Sequence, residues 1–124
     1  MWSFTNDKPV YVQIMDEIMN RISLGVYKPG ERIPSVRDLA EEARVNPNTM
    51  QKALAEIERR GYIISLRTSG KFVTDDTELI SSLNHNRAES SVRSFLAEIR
   101  HLGLSVDEAV ELIRECSGEL DNAS

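Results

Sequence analysis

Apolar residues recur every three or four positions along much of the chain, which is the spacing of amphipathic helices. Glycines close two of these stretches, at Gly25 and Gly61, and a glycine commonly ends a helix. The sequence SVDE at Ser105–Glu108 has the form of a capping box, which predicts that a further helix begins there. The predicted helices cover residues 10–24, 36–43, 47–60, 76–102 and 106–117, and residues 118–124 are predicted to fray.

The connection between the second and third predicted helices is very short and contains a proline between two asparagines, in RVNPNT. Proline is least costly at the first position of a helix, where its missing N–H would have no partner anyway. We therefore predict that Pro47 begins the third helix and that Asn46 is its N-cap. Ser35, with Asp38 three residues later, is predicted to cap the second helix. So short a connection keeps the two helices in contact.

Two short β-rich runs follow the third helix in YIISLRTSGKFVT, around a turn that ends in Gly70, and they indicate a hairpin. Helix, short turn, helix and hairpin is the order of a winged helix-turn-helix. The predicted fold class is α+β, mainly α, with a winged helix-turn-helix domain over residues 1–74 and a helical region over 75–124. Apolar residues in the second region are spaced like a coiled-coil seam, which predicts dimerisation. The predicted dimerisation residues are Ala88, Val92, Phe95, Ile99, Leu102, Leu112 and Ile113.

The net charge of −5 by itself argues against a nucleic-acid partner, but the charge is unevenly distributed along the chain. Residues 1–74 carry 11 basic and 9 acidic side chains, a net charge of +2, whereas residues 75–124 carry 4 and 11, a net charge of −7. Arg59, Arg60, Arg67 and Lys71 cluster around the hairpin and form a candidate phosphate-binding patch.

Length and spacing speak against several other classes of protein. A chain of 124 residues is too short for a large catalytic architecture, and no Ser, His and Asp arrangement indicates catalysis, so we predict no enzyme activity. His85, His101 and Cys116 lack metal-ligand spacing, and we expect neither a metal nor a cofactor. One cysteine, no membrane-spanning apolar run and no secretory signal predict a cytoplasmic protein.

The polar face at the start of the third predicted helix carries the candidate function. In a winged helix-turn-helix this helix enters the major groove of DNA with its N-terminus first. The amides of Asn48 and Gln51 can pair with adenine, while Thr49 and backbone N–H groups can contact phosphate. Two alternatives stay open: a winged-helix module that engages an acidic protein, and, more distantly, RNA binding, for which the single hairpin aromatic Phe72 offers little stacking surface.

The stretch YKPGERIPSVRDLAEEARVNPNTMQKALAEIERRGYIISLRTSGKFV resembles the DNA-binding domain of the GntR family of bacterial transcription regulators. Within it, VNPNTMQKAL is similar to the YtrA-like subfamily. The resemblance covers residues 9–74 densely and residues 75–116 more loosely, where it implies a short two-helix dimerisation tail. It implies a transcription regulator, most often a repressor, that binds an inverted-repeat operator in double-stranded DNA as a homodimer.

The family pattern also implies roles for individual residues. Arg37 would contact DNA, Pro47, Asn48 and Gln51 would read the groove, and Gly70 would lie at the tip of the wing. Many members have arginine where Pro47 or Gln51 stands, so adenine-containing positions are favoured over guanine here. No small-molecule effector can be named. The predicted DNA-binding residues are Arg37, Asn46, Pro47, Asn48, Thr49, Gln51, Lys52, Arg67, Thr68, Ser69, Gly70 and Lys71.

Overall fold

The structure, a computed structural model, describes residues 2–123, with side chains as far as residue 120. It divides into two units between Asn84 and His85, inside the fourth helix. The predicted domain boundary after Thr74 stays a prediction. The elements in chain order are α1 (Val10–Ser23), α2 (Val36–Ala43), α3 (Pro47–Arg59), β1 (Ile63–Leu66), β2 (Gly70–Val73), α4 (Thr77–His101) and α5 (Val106–Ala123).

The core of the first unit forms where α1 and α2 pack on α3. Each helix contributes the apolar stripe that its sequence spacing predicts, and full burial of one such aliphatic side chain stabilises the fold by about 1.5–3 kcal/mol. The two strands and the start of α4 close the same core. Its most deeply buried side chains are Ile14, Ile18, Ile22, Leu39, Met50, Leu54, Ile57, Ile63 and Val73.

The hairpin of β1 and β2 forms the wing, with Ile63 opposite Val73 and Leu66 opposite Gly70 in an antiparallel pair. Residues 31–33 pair with its outer edge: Ile33 N–H donates to Lys71 O at 3.0 Å and Val73 N–H donates to Glu31 O at 2.8 Å. These bonds satisfy backbone groups that β2 would otherwise leave open. The predicted fold class, mainly α with a winged helix-turn-helix, is confirmed.

The ends of the helices follow the predicted caps. Asn46 is the N-cap of α3 and Pro47 its first residue, as predicted. Ser35 Oγ accepts from Asp38 N–H at 3.1 Å and caps α2. After α3, Gly61 adopts a φ of 91° and the N–H of Tyr62 donates to Ile57 O at 3.3 Å, the bond of a Schellman motif.

The turn between α2 and α3 begins at Arg44, which is the one residue other than glycine with positive φ in the described chain (φ 59°, ψ 46°). This left-handed conformation lets Val45 N–H donate to Ala40 O at 3.0 Å, which satisfies a carbonyl at the end of α2. For a residue that carries a Cβ it costs roughly 1–2 kcal/mol. The helix-turn-helix therefore holds backbone strain at its first turn residue.

Arg21 of α1 holds α2 in place. Its side chain is only 13% exposed and lies 2.8 Å from the Glu17 carboxylate and 3.4 Å from that of Glu42 on α2. It also donates to the Tyr27 hydroxyl at 2.8 Å, and its guanidinium carbon lies 4.7 Å from the centre of the Trp2 ring. A planar cation that is shared among an aromatic face and two carboxylates restricts how α2 can move against α1.

The second unit contains the rest of α4 and all of α5. Ser105 and Glu108 cap α5 reciprocally, each accepting the other's backbone N–H at 3.1 Å, so the predicted capping box is confirmed. The prediction that residues 118–124 fray is wrong as far as Ala123, because the helix continues through Gly118 without a proline to interrupt its backbone bonds. Ser124 lies outside the described residues.

Burial divides the apolar residues of this second unit into two groups. Ile99 and Ala109 are buried, 7% and 1% exposed. Several larger side chains stay open to solvent: Val92, Phe95, Leu102, Val106, Val110, Leu112, Ile113 and Leu120. No helix among the described residues is long and apolar enough to cross a membrane.

Candidate DNA interface

The exposed face of α3 begins with the residues that the sequence singles out. Pro47, Asn48 and Gln51 are exposed, and Thr49 is half-buried. The opposite face of the helix, with Met50 at its start, is fully buried in the core. Packing therefore fixes the rotation of α3 and leaves its first polar amides facing solvent.

Asn46 acts on the backbone of this helix. Its side-chain Oδ1 accepts from Asn48 N–H at 2.7 Å, so that N–H is already bonded and does not offer itself to a phosphate. Two further N–H groups, of Thr49 and Met50, donate to Asn46 O at 3.0 and 3.1 Å. The side chain of Asn46 positions the helix start, and the side-chain amides of Asn48 and Gln51 stay exposed.

Lys52 is placed apart from these amides. Its ammonium lies 4.0 Å from the centre of the Tyr11 ring, on the flank of α3 that packs against α1. A cation held against an aromatic face is partly compensated there. Lys52 has a partner within the fold that the pattern of α3 alone does not reveal.

The predicted basic patch of Arg59, Arg60, Arg67 and Lys71 is largely neutralised by α3 itself. Glu56 accepts from Arg59 through two bonds, at 2.5 and 2.9 Å, and lies 3.3 Å from Arg60 Nε. The hydrogen bonds from Arg59, helped by the charge of that guanidinium and by Arg60, lower the pKa of Glu56 from 4.5 to about 2. The Glu56 carboxylate is therefore ionised, and it occupies both arginines.

Lys71, predicted to bind DNA from the wing, is also paired inside the fold. Its ammonium lies 3.0 Å from Glu58 Oε1 and 2.8 Å from Ser65 Oγ, and the Ser65 hydroxyl donates to Glu58. Hydrogen bonds from Ser65 and then from Lys71 lower the pKa of Glu58. This cluster joins the end of α3 to both strands of the wing.

Four arginines of the first unit have no carboxylate within 4.0 Å among the residues that the structure describes: Arg32, Arg37, Arg44 and Arg67. All four are exposed. Arg37 stands in the first turn of α2, Arg44 in the turn before α3, and Arg67 in the wing turn beside the exposed Thr68 and Ser69.

Sequence reasoning identified Arg37 and Arg67 but missed the other two arginines. Arg32 belongs to the strand-like residues 31–33, and its guanidinium lies against the wing at Gly70. Gly70 has a φ of 107°, and a Cβ built there would lie 3.0 Å from Arg32 Nε. In the sequence both arginines carry weak signals: Arg32 is a basic residue just before IPS, and Arg44 is a basic residue in the short connection before the third helix.

A capped helix that exposes amides at its N-terminus, a tight turn before it and a basic wing after it define a winged helix-turn-helix DNA-binding domain. Comparison with known proteins agrees. The family described as bacterial regulatory proteins, gntR family, matches residues 10–73, and the chain belongs to that family.

Relatives extend the match over most of the chain. The chain is 31% identical over 114 residues to the HTH-type transcriptional repressor YtrA of Bacillus subtilis, and the match covers 90% of this chain and 87% of YtrA. A GntR family transcriptional regulator from Listeria monocytogenes superposes with a TM-score of 0.87 at 34% identity, covering 90% of this chain and 98% of that one. The AraR DNA-binding domain in complex with operator ORX1 superposes with a TM-score of 0.56 at 26% identity, over 60% of this chain and 95% of that one.

The predicted GntR and YtrA-like resemblance is confirmed, and so is the prediction of a DNA-binding transcription regulator rather than an enzyme. The matched residues 10–73 contain α1, the helix-turn-helix and the wing.

Proposed function

We propose that the protein is a transcriptional repressor that binds an inverted-repeat operator as a homodimer. The observation that carries the DNA contact is the start of α3: Asn48 and Gln51 are exposed, three residues apart on one helical face, while Asn46 and Pro47 fix the backbone beneath them. Amides in that position suit the N7 and N6 atoms of adenine in the major groove.

Exposed groups around α3 suit the phosphates on either side of that groove. Arg37 precedes α3 in α2, and Arg67 follows it in the wing turn with Thr68 and Ser69. Since Arg59, Arg60 and Lys71 are held by Glu56 and Glu58, we assign phosphate binding to Arg37 and Arg67. Lys71 and Lys52 are kept as weaker contacts. Gly70 holds the tip of the wing.

The dimer is inferred from the second unit. Val92, Phe95, Leu102, Leu112 and Ile113 are apolar and exposed, which is costly in water unless another surface covers them. A second copy of the same chain would cover them and would place two recognition helices on two half-sites of the operator. Ile99 is already buried within the chain, so it supports this surface from inside, and Ala88 is exposed about three turns earlier on α4.

Two relatives favour repression at an operator. YtrA is named as a repressor, and the AraR domain is bound to an operator in its structure. A regulator that occupies DNA acts where the chromosome is, so we infer a cytoplasmic location.

The experiment is a selection of binding sites from a random pool of DNA duplexes, followed by anisotropy titrations with the selected duplex and a scrambled one. Gln51→Ala should lose about 1–3 kcal/mol of binding free energy on the selected duplex and little on the scrambled one, because it removes a base contact. Its melting temperature should stay unchanged, since Gln51 is exposed.

Asn46→Ala is the control that separates folding from base reading. It removes the cap of α3 and should lower the free energy of unfolding by about 0.5–2 kcal/mol. Failure to enrich any sequence would contradict the proposed function. Equal losses of Gln51→Ala on both duplexes would contradict base reading by Gln51.

A further inference from the structure

We propose that Arg32 is a DNA-phosphate contact carried by the wing, and that Gly70 is glycine partly to seat its guanidinium. The inference rests on the proposed function and adds to it a residue and a reason for the composition of the wing. It follows from the placement of Arg32, from its lack of a partner and from the space at Gly70.

The backbone holds Arg32 firmly. The neighbouring bonds, from Ile33 N–H to Lys71 O at 3.0 Å and from Val73 N–H to Glu31 O at 2.8 Å, tie the residues on either side of it to β2. The backbone of Arg32 itself forms an isolated antiparallel β-bridge with Phe72. Its Cα therefore moves with the wing, although it precedes the wing by more than thirty residues in sequence.

The side chain of Arg32 then lies over the start of β2. A Cβ at Gly70 would meet Arg32 Nε at 3.0 Å and Nη2 at 3.3 Å, both closer than a side chain normally allows. The absence of a side chain at Gly70 is what leaves room for the guanidinium to approach the wing there. Gly70 thus has two reasons to be glycine, its φ of 107° and this close approach.

The charge of Arg32 has no compensation in the described fold. Other basic side chains of the wing region do: Lys71 is bound by Glu58, and Arg59 and Arg60 are bound by Glu56. No carboxylate of the described residues lies within 4.0 Å of the Arg32 guanidinium, and the side chain is exposed. A planar, unpaired cation that is fixed beside a wing turn fits a phosphate oxygen pair.

Phosphate contact predicts a specific salt dependence. Each neutralised phosphate contributes about 0.9 to the slope of log affinity against log salt concentration. Arg32→Ala should therefore reduce the magnitude of that negative slope by about one for each bound protomer, which is about two for a dimer. Between 50 and 200 mM salt, its affinity should fall about threefold less per protomer than that of the wild type. Selected and scrambled duplexes should respond alike, because phosphates carry no sequence.

Three further variants test the geometry. Arg32→Lys keeps the charge and should keep the slope. Arg93→Ala removes one positive charge whose guanidinium is already held by Glu89 at 2.6 Å, and it should leave the slope unchanged. Gly70→Ala displaces the guanidinium, so its slope should fall in the wild-type background but not further in Arg32→Ala, which lacks the displaced group.

The experiment is an anisotropy titration of the full-length protein on the wild-type-selected duplex and its scrambled form, at four salt concentrations, with circular dichroism melts as a check of folding. An unchanged slope for Arg32→Ala, or a change equal to that of Arg93→Ala, overturns the inference while leaving the proposed function intact. A loss confined to the selected duplex also overturns it, since Arg32 would then read bases. If the wild type selects no duplex, the proposed function fails and the inference fails with it.

Discussion

Replacement of Arg44 by glycine should stabilise the first unit. Arg44 occupies the left-handed region at φ 59° and ψ 46°, which costs a residue with a Cβ roughly 1–2 kcal/mol and costs glycine almost nothing. Glycine also makes the unfolded chain more flexible, at a cost of about 0.4–1 kcal/mol. The midpoints of these two ranges, about 1.5 and about 0.7 kcal/mol, leave a net gain of about 0.8 kcal/mol. For a unit of this size the gain corresponds to a rise of roughly 2–8 °C in melting temperature.

Arg44→Ala is the matched control. It removes the same exposed, unpaired guanidinium but keeps the Cβ, so the strain remains and the melting temperature should not rise. Thermal melts and urea titrations should give a higher midpoint for Arg44→Gly at an unchanged m value. The reasoning is refuted if both variants change stability by the same amount, because the side chain and not the backbone would then be responsible. It is also refuted if Arg44→Gly is destabilised.

Two further predictions concern charge and assembly. The pKa of Glu56 is depressed in the folded state, so its stabilising contribution is complete above pH 4.5 and is lost as the pH falls toward about 2. Acid unfolding curves of Glu56→Gln should be flatter than those of the wild type in that interval, and parallel curves would contradict the pairing with Arg59. Phe95→Asp should place a charge on the exposed apolar surface of the second unit, shift sedimentation from dimer to monomer and weaken operator binding at least ten-fold. A variant that stays dimeric would remove Phe95 from the interface.

Local signals account for the parts of the fold that the sequence predicts well. Asn46 with Pro47 and Ser105 with Glu108 act within three residues of one another, so their caps can be read directly from the chain. The stop at Gly61 is of the same kind. These features place α3 and its polar start, which is the centre of the candidate interface.

Pairings between distant residues account for what sequence reasoning missed. Glu58 and Lys71 are thirteen residues apart and meet only because the hairpin folds back on α3. Lys52 meets Tyr11 through the packing of α1 on α3, and Arg32 meets Gly70 through the edge of the wing. A count of basic residues along the chain cannot distinguish a cation that faces DNA from one that faces a carboxylate. The patch predicted from composition is therefore smaller in the folded protein.

The positive φ at Arg44 escaped prediction for a different reason. Glycine and asparagine mark such positions in a sequence, and arginine does not. The requirement comes from tertiary packing: the chain must turn within a few residues after α2 so that Leu39 of α2 and Met50 of α3 lie in one core.

The tryptophan and tyrosine residues allow the two units to be distinguished by spectroscopy. Its one tryptophan and three tyrosines, Trp2, Tyr11, Tyr27 and Tyr62, all belong to residues 1–84. Trp2 lies against the Arg21 guanidinium that bridges to α2, so its emission responds to the packing of the helix-turn-helix. Circular dichroism at 222 nm, by contrast, reports on the helices of both units. Fluorescence and dichroism recorded on one sample therefore report whether the DNA-binding unit melts together with the helical unit or before it, without any label.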